Sequence, residues 1–146
     1  MPAQTDQSWG NPTPVVDEQT GSVFLFYKGS ADASGTGRLF VKRSDDAGLT
    51  WSAAEELTAL FADNPYDWTR NSPIPGHGIQ LGDGRLMMPI THRAPDAAAA
   101  DNYGFDALYS DDHGATWQRG QPAPVDATYP VNEARVYERS DGAVVL

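Results

Sequence analysis

The chain has 146 residues, 40% hydrophobic and 10% aromatic, enough for one domain-sized core, and a formal net charge of −10. That charge repels phosphate backbones and argues against nucleic acid as a partner, and no run of about 18 apolar residues is present to cross a bilayer as a helix. The absence of cysteine excludes disulfide scaffolds, zinc ribbons and thiol nucleophiles.

Residues 1–10 are polar with no apolar h-region, so no signal peptide is expected in this chain. Residues 13–16 and 23–27 read as two strands joined by a turn at 17–21, with Gly21 available for positive φ. Residues 29–37 are small and polar, a loop, and 38–43 form a third strand. Next comes Ser44-Asp45-Asp46-Ala47-Gly48-Leu49-Thr50-Trp51, a second hairpin turn, with Trp51 opening a fourth strand. Residues 55–62 predict a short helix. Residues 64–75 carry Pro65, Pro73 and Pro75 and read as a long loop, a candidate binding loop whose Tyr66 and Trp68 could rim a ligand.

The pattern then restarts. Strands are expected at 78–81 and 86–90 about the Gly82-Asp83-Gly84 turn, a loop at 94–102, and a strand at 105–109. Ser110-Asp111-Asp112-His113-Gly114-Ala115-Thr116-Trp117 repeats the earlier eight-residue pattern 66 positions on. A third unit starts at Glu133, with strands at 134–137 and 143–146 about a turn at 140–142. Gly21, Gly84 and Gly142 hold equivalent turn positions.

A repeat of S-x-D-x-G-x-x-W at such a period indicates a blade-built β-propeller. The fold class is therefore all-β: a partial propeller of about two and a half blades, each a four-stranded antiparallel sheet, with units at about 9–52, 76–118 and an incomplete 132–146. The signature itself reads as structural. Ser44, Asp46, Gly48 and Trp51, and their counterparts Ser110, Asp112, Gly114 and Trp117, form self-bonded turns: Ser and Asp accept backbone N–H groups, Gly takes the unusual dihedral, and Trp anchors the turn. A calcium loop would need alternating oxygen ligands and a distal bidentate Glu, which are missing, so no metal is expected. His113 reads as a solvated turn residue.

Three further segments make the pattern specific: Asn11-Pro12-Thr13-Pro14-Val15-Val16-Asp17 with Thr20-Gly21; Pro75-Gly76-His77-Gly78-Ile79-Gln80-Leu81; and Asn132-Glu133 with Val136, Glu138, Asp141 and Gly142. With the two turns, which this family calls Asp-boxes, these segments resemble the exo-α-sialidases (neuraminidases) over nearly the whole chain. The resemblance implies a six-bladed propeller with its active site on the central axis, near the starts of inner strands, and Asp-boxes on the periphery. Those starts lie near Asn11, His77 and Glu133.

The resemblance also implies a retaining glycoside hydrolase with a tyrosine nucleophile, acting on terminal sialic acids of glycoconjugates, without a cofactor, and secreted or at the cell surface. A neutral tyrosine avoids repulsion by the substrate's carboxylate but needs a partner base. By resemblance that base is Glu133; read without the family it is an exposed Glu at a strand end. Asn11 matches a position lining the sugar pocket, or caps a strand. His77 contacts substrate or bonds a neighbouring carbonyl. Thr91 and His92 depart from the tyrosines that animal members place after the equivalent of Pro89. The family's acid/base Asp, arginine triad and Tyr nucleophile match nothing in residues 1–146, so the chain reads as an interior segment, inactive alone. Two other readings share these features: a sialidase-like propeller acting on another glycan or without activity, and a box-containing propeller that binds proteins.

Overall fold

The computed structural model describes residues 8–31, 36–63, 68–94, 103–123 and 133–146. Tyr66, Asn132, residues 32–35 of the expected loop at 29–37 and residues 95–102 of that at 94–102 lie outside them. Two antiparallel sheets dominate, and a hairpin follows.

The first sheet comprises β1 (Gly10–Val16), β2 (Val23–Gly29), β3 (Arg38–Ser44) and β4 (Glu55–Glu56), each paired with the next. The second comprises β5 (Arg70–Pro73), β6 (Ile79–Gln80), β7 (Leu86–Arg93), β8 (Tyr103–Ser110) and β9 (Gln118–Arg119). Its order is β5-β7-β8-β9, with β6 also on β7. The hairpin is β10 (Tyr137–Glu138) and β11 (Val144–Val145). Gly21, Gly84 and Gly142 turn at φ of 77°, 97° and 82°, as the repeat requires.

Strand periodicity builds the interior. Phe24 and Phe26 on β2, Leu39 and Val41 on β3, and Leu86, Met88 and Ile90 on β7 are buried. With Val15, Leu57, Phe61, Leu108 and Trp117 they form one continuous core, so the two sheets bury their faces against each other.

Three expectations change. Residues 55–62 are not one helix: Glu55 and Glu56 extend the sheet by pairing with Val41 and Phe40, and only Thr58–Phe61 winds, as a single 3-10 turn. Arg38 clamps Glu56 with two hydrogen bonds (3.0 and 2.6 Å), and Leu57 N–H donates to the Leu39 carbonyl, which holds the segment at the sheet edge. The fourth strand therefore begins four residues after Trp51. Residues 70–73 are strand, not loop. The inner strand of the second sheet is split: five residues between Pro73 and Ile79 oppose two between Ile90 and Met87, and the excess loops out within residues 74–78. Pro73 is tolerated because its pairing lies where the strand breaks.

Candidate functional site

The inner strands of the two sheets lie side by side in parallel. Asn11 sits beside Ser72 and Pro73, Gly78 N–H donates to the Pro14 carbonyl, and Gln80 reaches Asp17 and Glu18. The third unit continues the arrangement. A methyl on Gly76 would stand 3.1 Å from Arg135 Cζ, and Glu138 Oε2 accepts the Gly82 N–H at 2.7 Å. Glu133 lies outside that unit's first strand, four residues before β10 begins. It is exposed, five residues before Glu138.

At that end a cavity of about 540 Å³ opens between the sheets; Asn11, Lys28, Arg70, Asn71, Thr91 and Arg93 are on its walls. Three cations face it in a chain of net charge −10, and no carboxylate lines it among the described residues. The local field thus opposes the global one and favours ligands with acceptor oxygens.

Asn11 is placed there by a bulge. Pairing slips between Gly10 and Thr13, and Asn11 takes φ 53°, a left-handed conformation that Asn adopts more readily than most residues. Its Nδ2 donates to Ser72 Oγ (2.8 Å) and the Pro73 carbonyl (3.1 Å), tying one sheet to the next at the cavity wall. His77 stands apart: it lies in the looped-out segment level with Pro14, exposed, its Nδ1–H donating to the Gly78 carbonyl at 2.9 Å. The strand starts thus place Asn11 on the cavity wall and leave His77 partway along.

The eight box residues lie at the opposite end. Ser44 pairs with Val23 and Ser110 with Leu86, a seven-residue strand (roughly 20 Å) from the cavity. In each turn the serine Oγ accepts the glycine N–H at 2.8 Å, and the second aspartate accepts the threonine N–H at 2.8 Å. Hydrogen bonds from Thr50 and Ser44 hold Asp46 at a pKa of about 2, and Thr116 and Ser110 do the same for Asp112. No group of three or more His, Cys, Asp or Glu able to hold a metal occurs among the described residues.

Sequence reasoning missed two things. His113 is not merely solvated: its Nδ1 lies 2.8 Å from Oδ2 of the buried Asp17. Burial raises the Asp17 pKa, but hydrogen bonds from Thr20, His113, the Gln19 N–H and Gln80 outweigh it and hold the carboxyl at about 2. Trp68 is buried rather than a rim residue, and stacks on His92 at 4.7 Å and 3°. Beneath it runs a polar row, buried at Asn71, His92 and Asp106 and partly exposed at Arg119. Asn71 Oδ1 lies 2.8 Å from His92 Nδ1, His92 Nε2 lies 2.9 Å from Asp106 Oδ1, and Arg119 Nε donates to Asp106 Oδ2 at 2.5 Å. These four residues are 48 positions apart in sequence at the extremes, and no local spacing betrays them.

The fold and the repeated turns define a class: a partial β-propeller of Asp-box blades. The BNR repeat-like domain family matches residues 2–146, and the chain belongs to it. It is similar to human Sialidase-4, with 37% identity over 132 residues covering 78% of this chain and 27% of that protein. It is also similar to the sialidase of Micromonospora viridifaciens, with 30% identity over 153 residues, covering 96% and 23%. Among solved structures, the Hadza microbial sialidase Hz136 superposes with a TM-score of 0.68 at 28% identity, covering 81% of this chain and 25% of that one. The intramolecular trans-sialidase of Ruminococcus gnavus shares the fold, with a TM-score of 0.74 at 17% identity over 95% of this chain and 48% of that one. The chain is a sialidase-like segment and spans about a quarter of the length of the curated relatives it matches.

Proposed function

We propose that this chain forms part of an exo-α-sialidase, a retaining hydrolase of terminal sialic acids, with sialylated glycans as substrate. The observation that carries the reading is the shared strand-start end. There the parallel inner strands bring Asn11 onto a cavity wall, and the sequence repeat sets Glu133 just ahead of the third unit's first strand. Glu133 is assigned as the base that activates a tyrosine nucleophile supplied by a longer chain, and Asn11 as a wall of the sugar site. His77 is assigned only a local bond. The Asp-boxes serve the blades, remote from the chemistry.

The test uses a longer chain containing this segment. Glu133→Gln keeps the side-chain volume and removes the base, so kcat on a sialoside should fall by two orders of magnitude or more with the thermal midpoint unchanged. Unaltered turnover would refute the role. The isolated 146-residue chain should release no sialic acid above buffer. A second reading, a sialidase-like propeller acting on another glycan, is favoured by Thr91 and the buried His92, stacked on Trp68, both lining the cavity.

A further inference from the structure

The inner strands of the three units end alike. Val16, Gln80 and Glu138 are the last paired residues before their hairpin turns, opposite Val23, Leu86 and Val144. Two of the three reach back to the preceding unit. Gln80 Oε1 accepts the Glu18 N–H at 2.8 Å, and Glu138 Oε2 accepts the Gly82 N–H at 2.7 Å. Glu18 and Gly82 are each the second residue of their turn, counted from Asp17 and Leu81, so one bond recurs at two successive seams. Val16, at the same place in the first unit, has a side chain with no acceptor atom and is 46% exposed. Glu138 belongs to the same sequence segment as Glu133, yet the proposed chemistry gives it no part.

We propose that Glu138 is a positioning residue: its bond to the Gly82 N–H fixes how far the third unit's inner strand is advanced against the second unit, and so sets where Glu133 stands. β10 and β11 pair over only two residues each, and a hairpin that short holds its own place weakly. Side chains that interlock with the second unit must supply the rest. Ala134 and Val136 are buried, but apolar contacts are non-directional and tolerate a slide along the strand. Arg135 packs over Gly76 and donates from its guanidinium to the Ala134 carbonyl, so it covers the looped-out segment without gripping it. The Glu138 bond is directional, and it joins the strand end to a closed turn, in which the Gly84 N–H donates to the Leu81 carbonyl. Glu133 directly precedes the stretch held in this way, and its backbone moves with it. The Glu138 carboxylate serves as an acceptor, not as an acid or base, because Gln80 makes the same bond at the earlier seam with an amide oxygen.

This role rests on Glu133 being the base, and the protein supplies its own controls. Gln is the residue that the second unit carries at this position, and Val the residue that the first unit carries. In the 146-residue chain, hydrogen exchange of the Gly82 amide should be roughly fivefold faster or more in Glu138→Val, with protection in β7 and β8 unchanged, and within about twofold of wild type in Glu138→Gln. In an active longer chain, Glu138→Val should lower kcat on a sialoside roughly three- to tenfold with KM changed less than about twofold, and Glu138→Gln should keep kcat within about twofold of wild type. Equal exchange at Gly82 in wild type and Glu138→Val, or a loss of protection spread over β7 and β8, overturns the contact. Faster exchange with unchanged kcat overturns the positioning role, and so does a Glu138→Gln variant as slow as Glu138→Val. If the wild-type longer chain cleaves no sialoside, the proposed function fails. The register is then read from the Glu133 backbone amide resonance in the 146-residue chain: a shift in Glu138→Val that Glu138→Gln lacks supports it, and no shift overturns it.

Discussion

The two Asp-box turns share one internal hydrogen-bond pattern and differ in everything around it. Ala47 and His113 have the same φ of 57°, and the serine, aspartate and threonine bonds agree within about 0.1 Å. Yet Trp117 is 7% exposed and Trp51 is 38% exposed. Trp117 meets Phe24 and Phe26 of the first sheet edge-on, at 5.5 and 4.7 Å. Trp51 bonds its own turn, through Nε1–H to the Gly48 carbonyl at 3.1 Å. Leu49 beside it is 84% exposed. The turn is thus a local unit that forms alike in either place, while the energy it contributes depends on whether a neighbouring sheet lies against it.

The sharpest test of this difference is the tryptophan pair. Trp117→Ala should destabilise the chain by about 3–5 kcal/mol in urea unfolding, and Trp51→Ala by about 1 kcal/mol or less. Equal losses would show that anchoring is internal to the turn. The glycines come next. Both occupy left-handed backbone, with φ of 87° at Gly48 and 78° at Gly114, so alanine costs each about 1 kcal/mol in strain. A methyl at Gly114 also runs into the Phe24 ring, whereas the nearest atom to one at Gly48 is Trp51 Cζ2 at 3.7 Å. Gly114→Ala should therefore cost a further 1–3 kcal/mol over Gly48→Ala in the same assay.

The smallest effect is in acid. Asp46, Asp112 and Asp17 are lowered from 3.8 to about 2, so the unfolded chain takes up protons at higher pH than the folded one. Their stabilisation is complete above about pH 4 and is lost as pH falls from there toward 2. His113→Ala removes one of the bonds that lower Asp17, so Asp17 contributes less stability above about pH 4 and the acid-unfolding midpoint followed by circular dichroism should move to higher pH. Ala47→Gly, at the matching position of the first turn, should leave the acid limb unmoved.

Much of the fold was legible because its signals are local. The turns at Gly21, Gly84 and Gly142 need positive φ, and β1 and β2 bury alternate residues. Both are properties of a few adjacent positions. The short edge strand at Glu55–Glu56 was not legible. Two exposed glutamates have no strand pattern of their own and pair only because Arg38 and the β3 edge receive them. The strand at Arg70–Pro73 was hidden by its proline, Pro73, which reads as loop until the break in the β7 ladder accommodates it.

The same division runs through the site. Asn11 and Glu133 could be singled out because each sits in an ordered motif. Asn11 meets Ser72 and the cavity only because inner strands of separate units run in parallel. Asn71, His92, Asp106 and Arg119 carry no motif at all, and four strands had to be stacked before their polar atoms could meet away from water. Residue order alone determined the repeat, the box turns and the all-β class, since these are set within eight or so neighbouring positions. The assembled sheets decided which tryptophan is buried, which histidine is sealed, and where a cavity opens, because burial and polar pairing at long sequence separation exist only once the chain has closed on itself.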